Sequence, residues 1–286
     1  MKMITIFLGF VFLLPLGLGN LKVGFYNSTC PRAESIVHQV VQSRFQADRS
    51  ITTALLCMHF HECFVRGCDA SILIDSTDSN PLKKPAAPNL TVRGFEIIDE
   101  AKKIIEASCP SMVSCADIIT LATRYAVFLA GGPSYDVATG RRDGIISARD
   151  EVNLPGPTFS VSQAQRAFAA KGFTLTEMVT LLGTGAPDRS MDPSLIMKLK
   201  VTCGASSSSD PTVSLDQSTP SIVDNKFYSE ILAKRGILQI DQELTVDKSS
   251  MAIVAKFGLD ANGIRQSFAN AMVKMSNVGV LTGNAG

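Results

Sequence analysis

Apolar residues recur along most of this chain at intervals of three and four, the spacing that places them on one face of an α-helix. The first such segment, 31–47, opens with Pro31 and aligns Ile36, Val37, Val40, Val41 and Phe45. Residues 50–63 form a second helix, and 94–107 repeat the helical pattern through Ile97, Ile98, Ala101, Ile104 and Ile105. Residues 115–130 are apolar nearly throughout, the mark of a buried helix, and stop at Gly131-Gly132-Pro133. After a loop over 131–160, the periodicity predicts helices near 161–170, 174–182, 192–202, 224–234, 247–257 and 263–277. Thr174 and Glu177 have capping-box spacing. The 76–92 stretch is rich in proline and asparagine and reads as loop. No strand pattern of any length and no internal repeat appears, so the fold class is all-α.

One stretch, 51–75, concentrates chemistry. It holds His59 and His61, Glu62 beside the second, Cys57, Cys63 and Cys68, and then Asp69 and Ser71. Three readings fit these residue types. His61 can be a general base at the end of a buried helix, beside an oxygen-rich hard-cation loop. His59, His61, Cys63 and Cys68 can be zinc ligands. Or the cysteines form a disulfide and the histidines are packed side chains. Residues two apart on a helix point about 200° apart, so the zinc reading needs an irregular backbone between the histidines and ranks last.

Composition narrows the setting. Residues 1–19 carry Lys2, an apolar run from Ile4 to Leu18, and small residues before Asn20, which reads as a secretory leader cleaved before Asn20. No later segment is apolar for long enough to span a membrane. A net charge of +1 gives no reason to expect a nucleic-acid partner. An exported chain favours disulfides over thiolate metal sites, and seven cysteines leave at least one unpaired within the chain. Asn27-Ser28-Thr29 and Asn89-Leu90-Thr91 are both glycosylation sequons.

The segments FYNSTCPRAESIV, LCMHFHECFVRGCDASILID, PNLTVRGFEIID, CPSMVSCADIITLA, GGPSYDVATGRRDG, NLPGP, TPSIVDNKFYSEIL, RGILQIDQELT and AMVKMSNVGVLTGNAG resemble the plant secretory (class III) haem peroxidases, from about residue 24 onward. The resemblance implies two all-α halves around haem b, a peroxide-side half at 20–150 and an iron-side half at 151–286. It implies reduction of hydrogen peroxide coupled to oxidation of small phenolic donors, by a secreted monomer of the extracellular space, cell wall or vacuole. By that resemblance His61 is the base that moves a proton across bound peroxide, Phe60 the aromatic beside it, and Asn89 the group that orients it. Pro155 lines donor access. Glu62, Val65, Gly67, Asp69 and Ser71 correspond to a first calcium cage. Asp216, Thr219, Ile222 and Asp224 correspond to most of a second, which is left incomplete. Cys30–Cys109 and Cys63–Cys68 correspond to two disulfides.

The departures from the family pattern carry as much information. Cys57 stands one helical turn before His61, where the family has an arginine that stabilises charge leaving on the peroxide; removing one such donor costs roughly 10²–10³ in rate. Glu62 replaces an aspartate, a change calcium's adaptable oxygen shell can absorb, and Lys83 replaces a glutamate of the relay behind Asn89. The largest departure follows Thr180-Leu181-Leu182-Gly183. There the family runs into Gly-x-His-Thr-Ile-Gly, whose histidine binds the iron, whereas this chain continues Thr184-Gly185-Ala186-Pro187-Asp188. Its three histidines are His38, His59 and His61, so no axial ligand is expected; Met178 and Met191 are poor substitutes. Cys203 corresponds to a cysteine paired within the missing segment, and Cys115 to one paired in a tail beyond Gly286. Asp241 corresponds to the carboxylate that holds the missing histidine.

Three functions follow: a secreted peroxidase descendant with impaired or lost activity, a full peroxidase whose coding sequence is read without one exon piece, and a non-enzymatic calcium-binding or wall-associated scaffold. A transcript across Leu182–Thr184 separates the second from the others, and haem absorbance separates the first from the third.

Overall fold

The computed structural model describes residues 21–75, 86–156, 158–182, 192–203 and 213–285, without the side chains of 200–203. The leader, Lys83 and Met191 lie outside these residues, as does the side chain of Cys203. Among the described residues the chain forms eleven α-helices. They are α1 (Ala33–Ala47), α2 (Ile51–Val65), α3 (Phe95–Ser108), α4 (Cys115–Leu129), α5 (Val161–Ala170), α6 (Leu175–Leu181), α7 (Pro193–Cys203), α8 (Lys226–Leu232), α9 (Gln239–Glu243), α10 (Met251–Leu259) and α11 (Ala261–Met275). The one sheet among the described residues is a two-residue antiparallel pair, β1 (Lys22–Val23) on β2 (Ala138–Thr139), with Lys22 opposite Thr139. That pair and the five-residue α9 are too short for periodicity to reveal. Among the described residues no helix is long and apolar enough to cross a membrane.

The centre of the first group of helices is α4. Ala116, Ile118, Ile119, Leu121, Ala122, Ala126 and Val127 are all buried, and α1, α2 and α3 pack around them. Its start is fixed twice. The Ser114 hydroxyl accepts from Asp117 N, and the Asp143 carboxylate accepts from Cys115 N and Ala116 N at 2.9 Å each. Both devices satisfy amides that a helix N-terminus leaves open and place negative charge at its positive end. On α3, Ile97, Ile98, Ala101 and Ile105 face inward as the spacing predicts, but Ile104 stands 42% exposed at the edge of the stripe. The second group packs α6 against α5, α10 and α11, and α8 against α9 and α10. Capping boxes at Ser160/Gln163 and Thr174/Glu177 begin α5 and α6.

Two features bind the groups together. Phe60 and Phe64 of α2 meet Phe168 of α5 and the following Phe173, with ring centroids 4.7 Å apart for Phe64–Phe168 and 5.5 Å for Phe64–Phe173. The second is a buried ion pair. Arg141 Nη1 lies 2.7 Å from Asp117 Oδ1, with both side chains at 0% exposure. Asp117 also accepts from Tyr26 Oη (2.6 Å) and Gly140 N (2.7 Å), while Arg141 donates to the carbonyls of Ala138 and Ser276. Each nitrogen and oxygen of the pair thus has at least one partner, the condition for a buried ion pair not to destabilise the fold. Asp117→Ala leaves the guanidinium buried and unpaired and is expected to lose about 3–5 kcal/mol. Chemical denaturation measures this, and a loss under about 1 kcal/mol would refute the central role of the pair.

Candidate active site

Helix α2 runs unbroken through both histidines and sends them in different directions. His61, with Cys57 one turn earlier and Phe60, lines a cavity of about 1210 Å³ between the two helical groups. His59 is turned into the core, 1% exposed, with neither ring nitrogen hydrogen-bonded. Burial, and secondarily the charge of Arg141, pushes its pKa down to about 3, so the imidazole is neutral. The zinc reading therefore fails. His61 faces away, and Cys63 and Cys68, although close to His59, are joined in a disulfide. The second bridge, Cys30–Cys109, closes with Cα atoms 5.7 Å apart.

His61 is held from outside its helix. Asn89, 2% exposed at the end of a single 3₁₀ turn over Ala87–Asn89, places Oδ1 2.8 Å from His61 Nδ1. An amide oxygen only accepts, so Nδ1 carries the proton and Nε2 is left as the basic nitrogen. Burial lowers the His61 pKa, while the Asn89 bond acts upward more weakly. The result is a neutral, oriented base at the wall of an apolar cavity. Phe60 stacks on Phe64 at 4.2 Å, fixing the segment, and Pro155 lines the same cavity.

The cation that the pattern lacks at Cys57 has a partial counterpart that the sequence did not single out. Arg93, in the loop after Asn89, also lines the cavity, and its Nη2 donates to Ser50 Oγ at 3.2 Å. Arg93 favours a Cys57 thiolate, yet burial prevails and pushes the thiol up to about 11, so Cys57 stays protonated. Cys57 and Cys115 are both unpaired.

The far wall is formed by Tyr228, Leu238, Ile240, Met272 and Met275, among others, and holds no histidine. His38 lies elsewhere, stacked on Tyr125 at 4.6 Å. Met178 is fully buried in the core rather than on the cavity wall, so it is not poised as a substitute ligand. Next to the wall residue Ile240, Asp241 is 0% exposed, and among the described residues neither carboxylate oxygen has a hydrogen-bond partner. Burial raises its pKa well above the ordinary carboxylate value, with only the backbone of Leu238 acting the other way. The cavity thus has the size and apolar lining for a macrocycle, and it lacks the imidazole that would hold the iron. In that respect the residues present do not fit haem.

Two groups of oxygen atoms form at the predicted cation positions. Asp216 and Asp224 converge on Thr219, whose hydroxyl lies 2.9 Å from Asp216 Oδ2 and 3.1 Å from Asp224 Oδ1; Ile222 N donates to Thr219 O. This is hard-cation donor chemistry. The first group is more occupied. Glu62 Oε1 accepts from Asp69 N (3.0 Å) and Ser71 N (3.2 Å), and Oε2 accepts from Ile72 N at 2.8 Å. Asp69 Oδ1 takes the Ser71 hydroxyl, and the Lys171 ammonium donates to Val65 O at 2.8 Å. The longer glutamate spans the loop and ties its amides directly, while a lysine already sits on one of the carbonyls. The loop is also clasped to the chain's end. Cys68 N donates to Val278 O at 3.0 Å, and a Cβ on Gly67 would come within 2.2 Å of Gly279 O.

Comparison with known proteins bears on this site. Residues 37–260 match the family described as Peroxidase. The chain is 52% identical to Peroxidase 44 of Arabidopsis thaliana, with 100% of the chain and 96% of the relative covered. It is 48% identical to Peroxidase 57 of the same plant (96% and 92% covered) and 39% identical to Peroxidase N1 of Nicotiana tabacum (100% and 93%). The Peroxidase 44 alignment runs over 301 residues against the 286 of this chain, so at least 15 aligned positions have no residue here. Asn89→Val is expected to free Nδ1 and lower the His61 pKa further. Imidazole NMR titration measures it, and an unchanged or higher pKa would show that the Asn89 bond does not set the protonation of His61.

Proposed function

The chain belongs to the plant (class III) peroxidase family, and from that premise we propose that it is a member whose own peroxide chemistry is lost. Bound haem supplies the redox centre of the family reaction, in which hydrogen peroxide is reduced and phenolic donors are oxidised. This chain keeps the parts that handle protons. His61 presents a basic Nε2, Asn89 fixes its tautomer, Phe60 holds the segment, and Pro155 borders the entrance for a donor. It lacks the histidine that would hold iron and the cation at position 57 that would stabilise departing charge, for which Arg93 is only a partial counterpart. The single observation that carries the reading is Asp241, a fully buried carboxyl group that has no side-chain partner among the described residues. A group of that kind is retained at a cost of about 1–3 kcal/mol or more, which is understandable where a partner has been removed.

Export through the 1–19 leader completes the proposal, with the two disulfides formed in an oxidising compartment. A second reading, a calcium-binding scaffold without haem, is favoured by the convergence of Asp216, Thr219 and Asp224; these residues would hold the ion together with the Ile222 backbone.

Residues 20–286 expressed with haem and calcium are expected to fold by circular dichroism, show no stable Soret band and give no peroxide-dependent oxidation of a phenolic dye. A stable band with turnover would overturn the proposal. Asp241 gives a second test. Its pKa is raised on folding, so its favourable contribution is complete below the ordinary value of 3.8 and is lost as pH rises toward the folded value. Asp241→Asn is therefore expected to gain on the parent protein by up to about 1.4 kcal/mol per pH unit above that value. Parallel pH-stability curves for the two proteins would show that Asp241 has a partner after all.

A further inference from the structure

The two sequons are equivalent as sequence and opposite as structure, and we propose that Asn27 carries an N-linked glycan while Asn89 does not. The inference rests on the export proposed above. Asn27, Ser28 and Thr29 are all exposed, in the turn between β1 and α1. The hydrogen bonds that build this turn use main-chain atoms only: Asn27 N to Gly24 O at 3.1 Å and Thr29 N to Tyr26 O at 3.2 Å. The Asn27 side chain rests over Gly24, whose missing Cβ leaves room for it; an added Cβ would fall 2.6 Å from Nδ2. Among the described residues no hydrogen bond commits the Asn27 amide. The turn itself is anchored on both sides of the acceptor segment, by the Tyr26 hydroxyl on Asp117 and by the Cys30–Cys109 bridge.

The second sequon has exposed neighbours, Leu90 at 70% and Thr91, but its acceptor is turned inward. Asn89 is 2% exposed and bonded to His61 Nδ1, so a sugar on Nδ2 has no space in the folded site. A chain modified there loses the support of His61.

The transfer needs a polyisoprenyl-pyrophosphate oligosaccharide as donor. The Asn27 Nδ2 forms a bond to C1 of the first sugar, the C1–O bond to pyrophosphate breaks, the lipid pyrophosphate leaves, and one amide proton passes to a base. Nothing is oxidised or reduced.

The full chain is secreted from a eukaryotic host, once behind its own leader and once behind a borrowed one, and treated with a peptide N-glycosidase. The expected result is the loss of one glycan and an aspartate at position 27 by peptide mass mapping. Asn27→Gln is expected to remove the shift. Thr91→Val destroys the second sequon while leaving the Asn89–His61 bond in place, and is expected to change nothing. A bare Asn27 in protein secreted behind the borrowed leader, or a glycan on Asn89, would overturn the assignment. A glycan on Asn27 that appears only behind the borrowed leader supports the site and instead overturns export by the chain's own leader.

Discussion

The structure hangs on one buried pair of charges, Asp117 and Arg141. An ion pair at zero exposure is costly unless every polar atom is satisfied, and here satisfying it recruits distant parts of the chain. Tyr26 comes from the N-terminal turn, Gly140 and Ala138 from the strand-bearing loop, and Ser276 from just past α11. Apolar packing alone does not specify which segments meet, because side chains of similar volume can substitute for one another in a core. A carboxylate and a guanidinium with defined partners do specify it. The pair sets where the end of α11 lies relative to α4, and so helps define the cavity wall that α11 carries.

The cavity shows what happens when one half of such an arrangement is kept and the other removed. On the α2 side the polar atoms at the cavity and its loop are paired, Asn89 on His61 and the loop amides on Glu62, while His59, turned into the core, is not. On the α9 side, among the described residues, Asp241 has no side-chain partner and only the Leu238 backbone near it. The asymmetry belongs to the chain itself. Its relatives align over a longer span, and its histidines are all accounted for elsewhere, in a stack with Tyr125, in the core, and on the α2 wall.

Most of the helical framework could be read from the sequence because it rests on local signals. The apolar stripe of α1, the capping box at Thr174 and the glycine stop after α4 act within one or two turns. Ile104 escaped this logic because a stripe has an edge and periodicity does not say where the neighbour ends. The short α9 and the β1–β2 pair escaped it because they exist only through tertiary contacts. For the site, spacing alone put His59 and His61 on different faces, which the helix upholds. Asn89 needed the family resemblance, since nothing local links positions 61 and 89. Arg93 on the cavity wall and Lys171 on the Val65 carbonyl were invisible, because both are long side chains reaching across loops whose path the sequence does not encode in any short pattern.

The contact between Gly67 and Gly279 has a dynamic corollary. Each glycine occupies a backbone conformation with positive φ, and each would drive a Cβ into the other's main chain. The disulfide loop beside the site and the segment after α11 therefore share one surface with no side chain between them, and neither can shift without the other. In the language of native-state hydrogen exchange they form one cooperative unit. The amides of the loop that grips Glu62 should become exchangeable when the C-terminal segment lifts, well before α2 itself unfolds. The rigidity of the histidine-bearing region is thus set in part by residues more than two hundred positions away that take no part in its chemistry.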